Sequence, residues 1–139
     1  MKFTRHANAT WQGTGMEGKG TVSTQSKTLD HAQLSYRSRF ENGIGTNPEE
    51  LVAAAHSGCF SMKLAFVLSE LGHPADQIET TAKVTLDSGK ITHIGLELHA
   101  KVPGISNEAF QKAAQNAKEN CPISQLLNAE ITLDAKLLS

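Results

Sequence analysis

The stretch GTNPEELVAAAHSGCFSM, residues 45–62, decides the fold, and it opens on a strong helix-start signal. Asn47 can cap the helix, and Pro48 suits its first position. Glu50 stands three residues after Asn47, as in a capping box, and Glu49 adds a second acid to the first turn, where the helix macrodipole favours negative charge. The pattern therefore predicts a helix that begins at Pro48.

The predicted helix is long and apolar on every side. No charged side chain follows Glu50 until Lys63, and the helix should end near Leu71, just before Gly72 and Pro74. One side carries a ladder at helical spacing and the opposite side is hardly more polar: Leu51, Ala55, Cys59, Met62 and Phe66 form the ladder, and Ala53, Ala54, Ser57 and Phe60 lie opposite. A helix of this kind belongs in the middle of a fold. The polar residues that interrupt it argue against a membrane span.

The residues before this helix, 7–44, are expected to form strands. Within them the run 33–40 alternates, which predicts a strand with Leu34, Tyr36, Ser38 and Phe40 on one face and Ser35, Arg37 and Arg39 on the other.

Strands and helices are also expected after the central helix. The segments are strands around 82–86 and 94–102 with a hairpin turn at 87–90, helices around 107–119 and 122–127, and a last strand at 131–137. The order of elements predicts an α+β fold, with mostly antiparallel sheets around a long buried central helix, in a single domain over residues 1–139.

Composition excludes several classes of function. The chain has 139 residues, with 13 Lys and Arg against 14 Asp and Glu, and it has no basic run. Nucleic-acid binding is therefore not expected. The polar N-terminus does not resemble a secretory signal, so we expect a cytoplasmic protein without membrane attachment. Two cysteines in such a protein are more often chemical than structural.

The two cysteines differ in their expected surroundings. Cys59 lies in the middle of the apolar helix, where a buried thiol is ordinarily an inert small hydrophobe. It becomes reactive only if a cation from another element reaches it. Cys121 precedes Pro122 and so occupies a predicted helix N-cap, where backbone N–H groups and the helix dipole favour thiolate. An ordinary loop cysteine remains the alternative interpretation of Cys121.

Candidate cations lie in the run before the helix. Arg37 and Arg39 are predicted to share a strand face, and surface charge is the ordinary explanation for such residues. Glu49 would lie about 15 Å along the axis from Cys59 on a straight helix, so its expected task is to hold an arginine rather than to touch the thiol. His56 stands one turn before Cys59, but no tight Cys/His cluster accompanies it, so no metal site is expected.

Two motifs resemble the OsmC/Ohr family of thiol peroxidases. Residues 46–51, the Ala-rich turn and SGCFS at 57–61 resemble the family's first cysteine motif, and NCPIS at 120–124 resembles the second. YRSRFE at 36–41, followed by the GTNP motif, resembles the OsmC branch, that of osmotically inducible protein C. The order of elements agrees over nearly the whole chain.

The resemblance implies an intertwined homodimer that reduces organic hydroperoxides, and hydrogen peroxide less well, with a small or protein-bound dithiol as reductant. It implies that Cys59 is the peroxidatic nucleophile, that Cys121 is the resolving thiol, that Arg39 partners the Cys59 thiolate and that Glu49 holds Arg39. Arg37 is the second candidate for the arginine. No metal, haem or flavin is required.

Two other hypotheses remain open from the sequence. The chain could be a non-catalytic protein on the same fold that binds an apolar ligand or senses redox state. Alternatively, Cys59 could be an ordinary core residue and Cys121 incidental.

Overall fold

A computed structural model describes all 139 residues. The chain divides into two compact units, residues 1–51 and 52–139, with the division after the first turn of the long helix. The sheets are three-stranded, one in each unit, and three of the four strand pairings are antiparallel. The predicted α+β class with mostly antiparallel sheets is therefore confirmed.

Unit 1 contains a meander of strands followed by a short helix and the start of the long one. Its elements are β1 (Ala7–Gln12), β2 (Lys19–Thr24), β3 (Ala32–Leu34), α1 (Tyr36–Phe40) and the first turn of α2 (Pro48–Glu70). No hydrophobic residue of unit 1 is fully buried within the chain; its buried side chains are the polar Ser23, Ser38 and Thr46. Unit 1 therefore has little apolar core of its own.

The predicted strand over residues 33–40 is wrong beyond Leu34, because a capping box starts α1 there. The Ser35 hydroxyl accepts from the Ser38 backbone N–H at 3.0 Å, and the Ser38 hydroxyl accepts from the Ser35 N–H at 2.9 Å. A five-residue run is too short for its periodicity to distinguish strand from helix. Arg37 and Arg39 consequently do not share a face: two positions apart on a helix, they point about 200° apart.

Asn47 caps α2 as predicted, but the Glu50 carboxylate contacts Thr46 instead of completing the capping box with the Asn47 N–H. The Glu50 N–H donates to the Asn47 side chain at 2.7 Å, which caps the helix, and the Glu50 carboxylate accepts from the Thr46 hydroxyl at 2.7 Å. The helix runs from Pro48 to Glu70.

Unit 2 contains the remaining elements around one apolar core. They are the rest of α2, β4 (Gln77–Asp87), β5 (Lys90–Lys101), α3 (Asn107–Asn120), α4 (Pro122–Leu126) and β6 (Glu130–Leu137). Strands β4 and β5 form the predicted hairpin, whereas β6 lies parallel to β5, because α3 and α4 provide the crossover that a parallel pair needs. The core combines Phe60, Leu64 and Leu68 of α2, alternate residues 94–102 around β5, and Phe110, Ala113, Ala114 and Ala117 of α3.

Helix α2 buries only one stripe within the chain. Phe60, Leu64 and Leu68 are fully buried, whereas Met62 and Phe66 of the predicted ladder are 64% and 65% exposed. By length and a mean hydropathy of 1.5 the helix could cross a membrane. Its buried stripe packs into the core of unit 2, so α2 is a core helix of a soluble protein. Its opposite face remains apolar and uncovered.

Candidate active site

The two arginines that the sequence singles out have different surroundings. The Arg39 guanidinium donates two parallel hydrogen bonds to the Glu49 carboxylate, from Nε to Oε1 and from Nη2 to Oε2, each 3.0 Å long. Hydrogen bonding to Glu49 raises the Arg39 pKa, so this side chain stays charged. Arg37 is exposed and makes no ion pair. The paired, oriented guanidinium is therefore that of Arg39.

A pocket of about 370 Å³ in unit 1 adjoins this ion pair. Arg39 lines it together with the aromatic rings of Trp11, Tyr36 and Phe40 and the ring of Pro48. Its walls are largely apolar and it carries one cation, so it could hold a small molecule with a hydrocarbon part and a polar end.

The two cysteines lie next to each other in unit 2. Cys59 is half-buried, Cys121 is fully buried, and both are free thiols. Cys121 caps α4 as predicted: its sulfur accepts from the Ser124 backbone N–H at 3.4 Å. The backbone N–H of Ile123, in the first turn of the same helix, is near enough to Cys59 to lower its pKa. The start of α4 thus places a backbone N–H group near each sulfur.

The surroundings of Cys59 favour its neutral form within the chain. Burial raises its pKa most, the Ile123 N–H opposes this, and the neighbouring Cys121 thiol raises the pKa further. A reactive thiolate therefore requires a positive charge in addition to these groups.

His56 and Ser124 extend the group around Cys121. The His56 Nε2 atom lies 2.8 Å from the Ser124 hydroxyl, which in turn lies 3.5 Å from the Cys121 sulfur. This chain of contacts was not predicted from the sequence. Two features of the sequence could have indicated it: the polar ring of His56 in an otherwise apolar helix, and Ser124 three residues after the N-cap Cys121.

Burial of His56 predicts an acid-sensitive fold. Burial lowers the His56 pKa below 6.5, so as the pH falls the unfolded state takes up this proton first. The wild-type free energy of unfolding should therefore have its full value above about pH 6.5 and decrease as the pH falls below that. His56→Gln has no group that titrates at this position, so its free energy of unfolding should decrease less over the same range. Urea unfolding of both proteins between about pH 5 and 8 measures the difference. Parallel pH curves for the two proteins would contradict the prediction.

The family model described as OsmC-like protein matches residues 40–136. The chain belongs to the OsmC family. It is 46% identical to peroxiredoxin OsmC of Escherichia coli (strain K12), an alignment that covers 100% of both chains. A protein of this family from Legionella pneumophila, described as an organic hydroperoxide resistance protein, is 27% identical with a TM-score of 0.70 over 96% of this chain and 97% of that one. The OsmC-like protein of Mycoplasma pneumoniae, 11% identical, has the same fold, with a TM-score of 0.80 over 100% of both chains.

The OsmC relationship confirms several expectations. The family, the OsmC-like α+β fold and the enzyme class, a thiol-dependent peroxidase, are those that the sequence indicated. The roles of individual side chains remain predictions.

Proposed function

We propose that this OsmC-family chain reduces organic hydroperoxides to alcohols with Cys59 as the peroxidatic thiol and Cys121 as the resolving thiol. The observation that carries the proposal is the pair of neighbouring free thiols at the start of α4. Two adjacent thiols are what a peroxidase needs if it forms a disulfide in each cycle.

The first step is a displacement at oxygen. The Cys59 thiolate attacks the distal oxygen of ROOH, the sulfur–oxygen bond forms, the oxygen–oxygen bond breaks, and RO⁻ leaves and takes up a proton to become the alcohol. Cys59 is thereby oxidised to sulfenic acid. Cys121 then forms the disulfide with loss of water, and an external dithiol reduces this disulfide with two electrons.

Arg39 is proposed as the cation for this step, with Glu49 as the residue that orients it. The bidentate ion pair holds the guanidinium in one direction, which a single hydrogen bond would not do. A guanidinium lowers the pKa of a nearby thiol and stabilises the charge that develops on the peroxide. The apolar pocket beside Arg39 is proposed to take the alkyl group of ROOH, which would make hydrogen peroxide the poorer substrate.

A homodimer is proposed because the chain exposes apolar surface that a partner copy would cover. On α2 the uncovered face includes Ala55, Gly58, Met62 and Phe66, and unit 1 exposes Trp11, Met16, Phe40 and Ile44. Exposed apolar patches of this kind mark interfaces. The small residues of the α2 face would allow a partner's backbone to approach closely.

Substitution of the α2 face should separate the subunits. We expect the wild type at about 30 kDa, twice 14.9 kDa, and Met62→Lys/Phe66→Glu at one chain mass, because each change places a charge where a dry contact is proposed. Sedimentation equilibrium measures this. Glu70→Lys, at an exposed charged position of the same helix, is the control and should remain dimeric. A dimeric double variant would disprove the proposed contact.

Residues 1–139 are proposed to act as a single domain in the cytoplasm, where reducing conditions keep both thiols free. Shared unfolding of the two units in one transition would support the single domain.

Turnover of cumene hydroperoxide with dithiothreitol tests the proposed function. We expect multiple turnovers that saturate with substrate, a lower kcat/KM for hydrogen peroxide, and a Cys59–Cys121 disulfide when reductant is withheld. Oxidation without turnover would instead favour the non-catalytic ligand-binding or redox-sensing hypothesis.

A further inference from the structure

His56 carries a buried imidazole that has no role in the peroxidase steps proposed above. It is 0% exposed, and its Nε2 atom contacts the hydroxyl of Ser124 at 2.8 Å. That hydroxyl lies 3.5 Å from the sulfur of Cys121. The three side chains therefore form a continuous path from the interior of α2 to the proposed resolving thiol.

The other ring nitrogen decides the direction of this path. Nδ1 of His56 is buried and has no hydrogen-bond partner. A proton on Nδ1 would be a buried donor with no acceptor, which is unfavourable, so the single proton of the neutral ring belongs on Nε2. Burial also lowers the His56 pKa, and the ring therefore stays neutral at pH 7. No charged side chain contributes to this shift.

With this tautomer the path consists of donors that point towards sulfur. The Nε2–H group of His56 donates to the Ser124 oxygen, which leaves the Ser124 O–H free to donate to Cys121. The backbone N–H of Ser124 already donates to the same sulfur at 3.4 Å. Hydrogen bonds to a thiolate are stronger than those to a neutral thiol, so both donors favour negative charge on Cys121.

We propose that His56 and Ser124 form a hydrogen-bond donor chain that stabilises negative charge on the Cys121 sulfur during disulfide formation and reduction. The inference rests on the proposed function. In the forward step the sulfur–sulfur bond forms, the sulfur–oxygen bond of the Cys59 sulfenic acid breaks, and the thiol proton of Cys121 leaves with the hydroxyl as water. Ser124 contacts the reacting sulfur, and His56, which acts through Ser124, is a positioning residue.

Rapid-quench mass spectrometry of the full-length protein tests the chain, with disulfide formation started by either stoichiometric cumene hydroperoxide or diamide. Diamide oxidises dithiols without a peroxide. Ser124→Ala should slow disulfide formation by at least about tenfold, whereas Ser124→Thr, which keeps the hydroxyl, should stay within about threefold of the wild type. Consumption of peroxide in the first turnover should not change. Cys59 sulfinic acid should accumulate in Ser124→Ala under excess peroxide, because its sulfenic acid survives longer.

Two substitutions of His56 separate donation from packing. His56→Leu fills the site without a donor and should match the loss in Ser124→Ala. His56→Gln places an amide NH₂ group near the Nε2 position and should recover most of the rate. If His56→Leu does not fold, the two Ser124 variants decide the question by themselves.

Two results would overturn the chain. One is a wild-type rate of disulfide formation in Ser124→Ala, and the other is the absence of a Cys59–Cys121 disulfide in the wild type after diamide. In a third case, peroxide forms no disulfide in the wild type, but disulfide formation by diamide is still slower in Ser124→Ala than in the wild type. That result would overturn the proposed peroxidase function and leave the donor chain supported.

Discussion

Cys59→Ser should lower the peroxidase activity by about 10³-fold or more, to the rate of the uncatalysed reaction with dithiothreitol. A serine hydroxyl is not ionised at neutral pH and is a far weaker nucleophile towards a peroxide oxygen than a thiolate. The volume changes little, so the half-buried site on α2 should stay intact. Initial rates with cumene hydroperoxide measure the loss.

Cys121→Ser is the matched control for this experiment. It removes the neighbouring sulfur and keeps Cys59, so the first turnover should proceed while the disulfide can no longer form. Undiminished activity in Cys59→Ser would end the role proposed for Cys59. Equal loss of the first turnover in both variants would contradict the assignment of Cys59 as the peroxidatic thiol and Cys121 as the resolving thiol.

Arg39→Ala should slow the attack on peroxide by about 10²-fold or more, the range found when one preorganised charge-stabilising donor is removed from an active site. The guanidinium is held by the two hydrogen bonds that it donates to Glu49 and it lines the apolar pocket, so its loss removes both the charge and its direction. Arg39→Lys should recover little, since an ammonium cannot reproduce the bidentate geometry. Glu49→Gln should give an intermediate loss.

Arg37→Ala is the control for Arg39→Ala. Arg37 lies two positions away on α1, is exposed and forms no ion pair, so its removal should change the rate by less than about threefold. Stopped-flow measurement of peroxide attack on the reduced proteins gives both rates. The reverse ranking would transfer the role to Arg37.

The central helix and its cap could be predicted because their signals are local. Asn47, Pro48 and Glu50 determine the start of α2 from within four residues, and the N-cap position of Cys121 follows from Pro122. The alternating residues of β4 and β5 and their turn are local in the same way.

Other features depend on contacts that the sequence order does not display. Helix α1 replaces a predicted strand because two serine hydroxyls cap it, and a period-2 pattern over five residues does not reveal this. The link from His56 to Ser124 joins residues 68 apart in sequence. The apolar face of α2 was expected to be buried, but one chain supplies a core for only one of its stripes.

Peroxidase activity depends most directly on the ionisation of Cys59 in the assembled protein. Within one chain, burial raises the pKa of this thiol, so a functioning peroxidase must overcome that effect. The rate of Cys59 alkylation against pH, with the modified peptide identified by mass, measures this in the wild type and in Arg39→Ala. We predict a wild-type midpoint well below about 8.5, the value of a free cysteine, and a higher midpoint in Arg39→Ala. A wild-type midpoint at or above that value, unchanged by the substitution, would contradict the account.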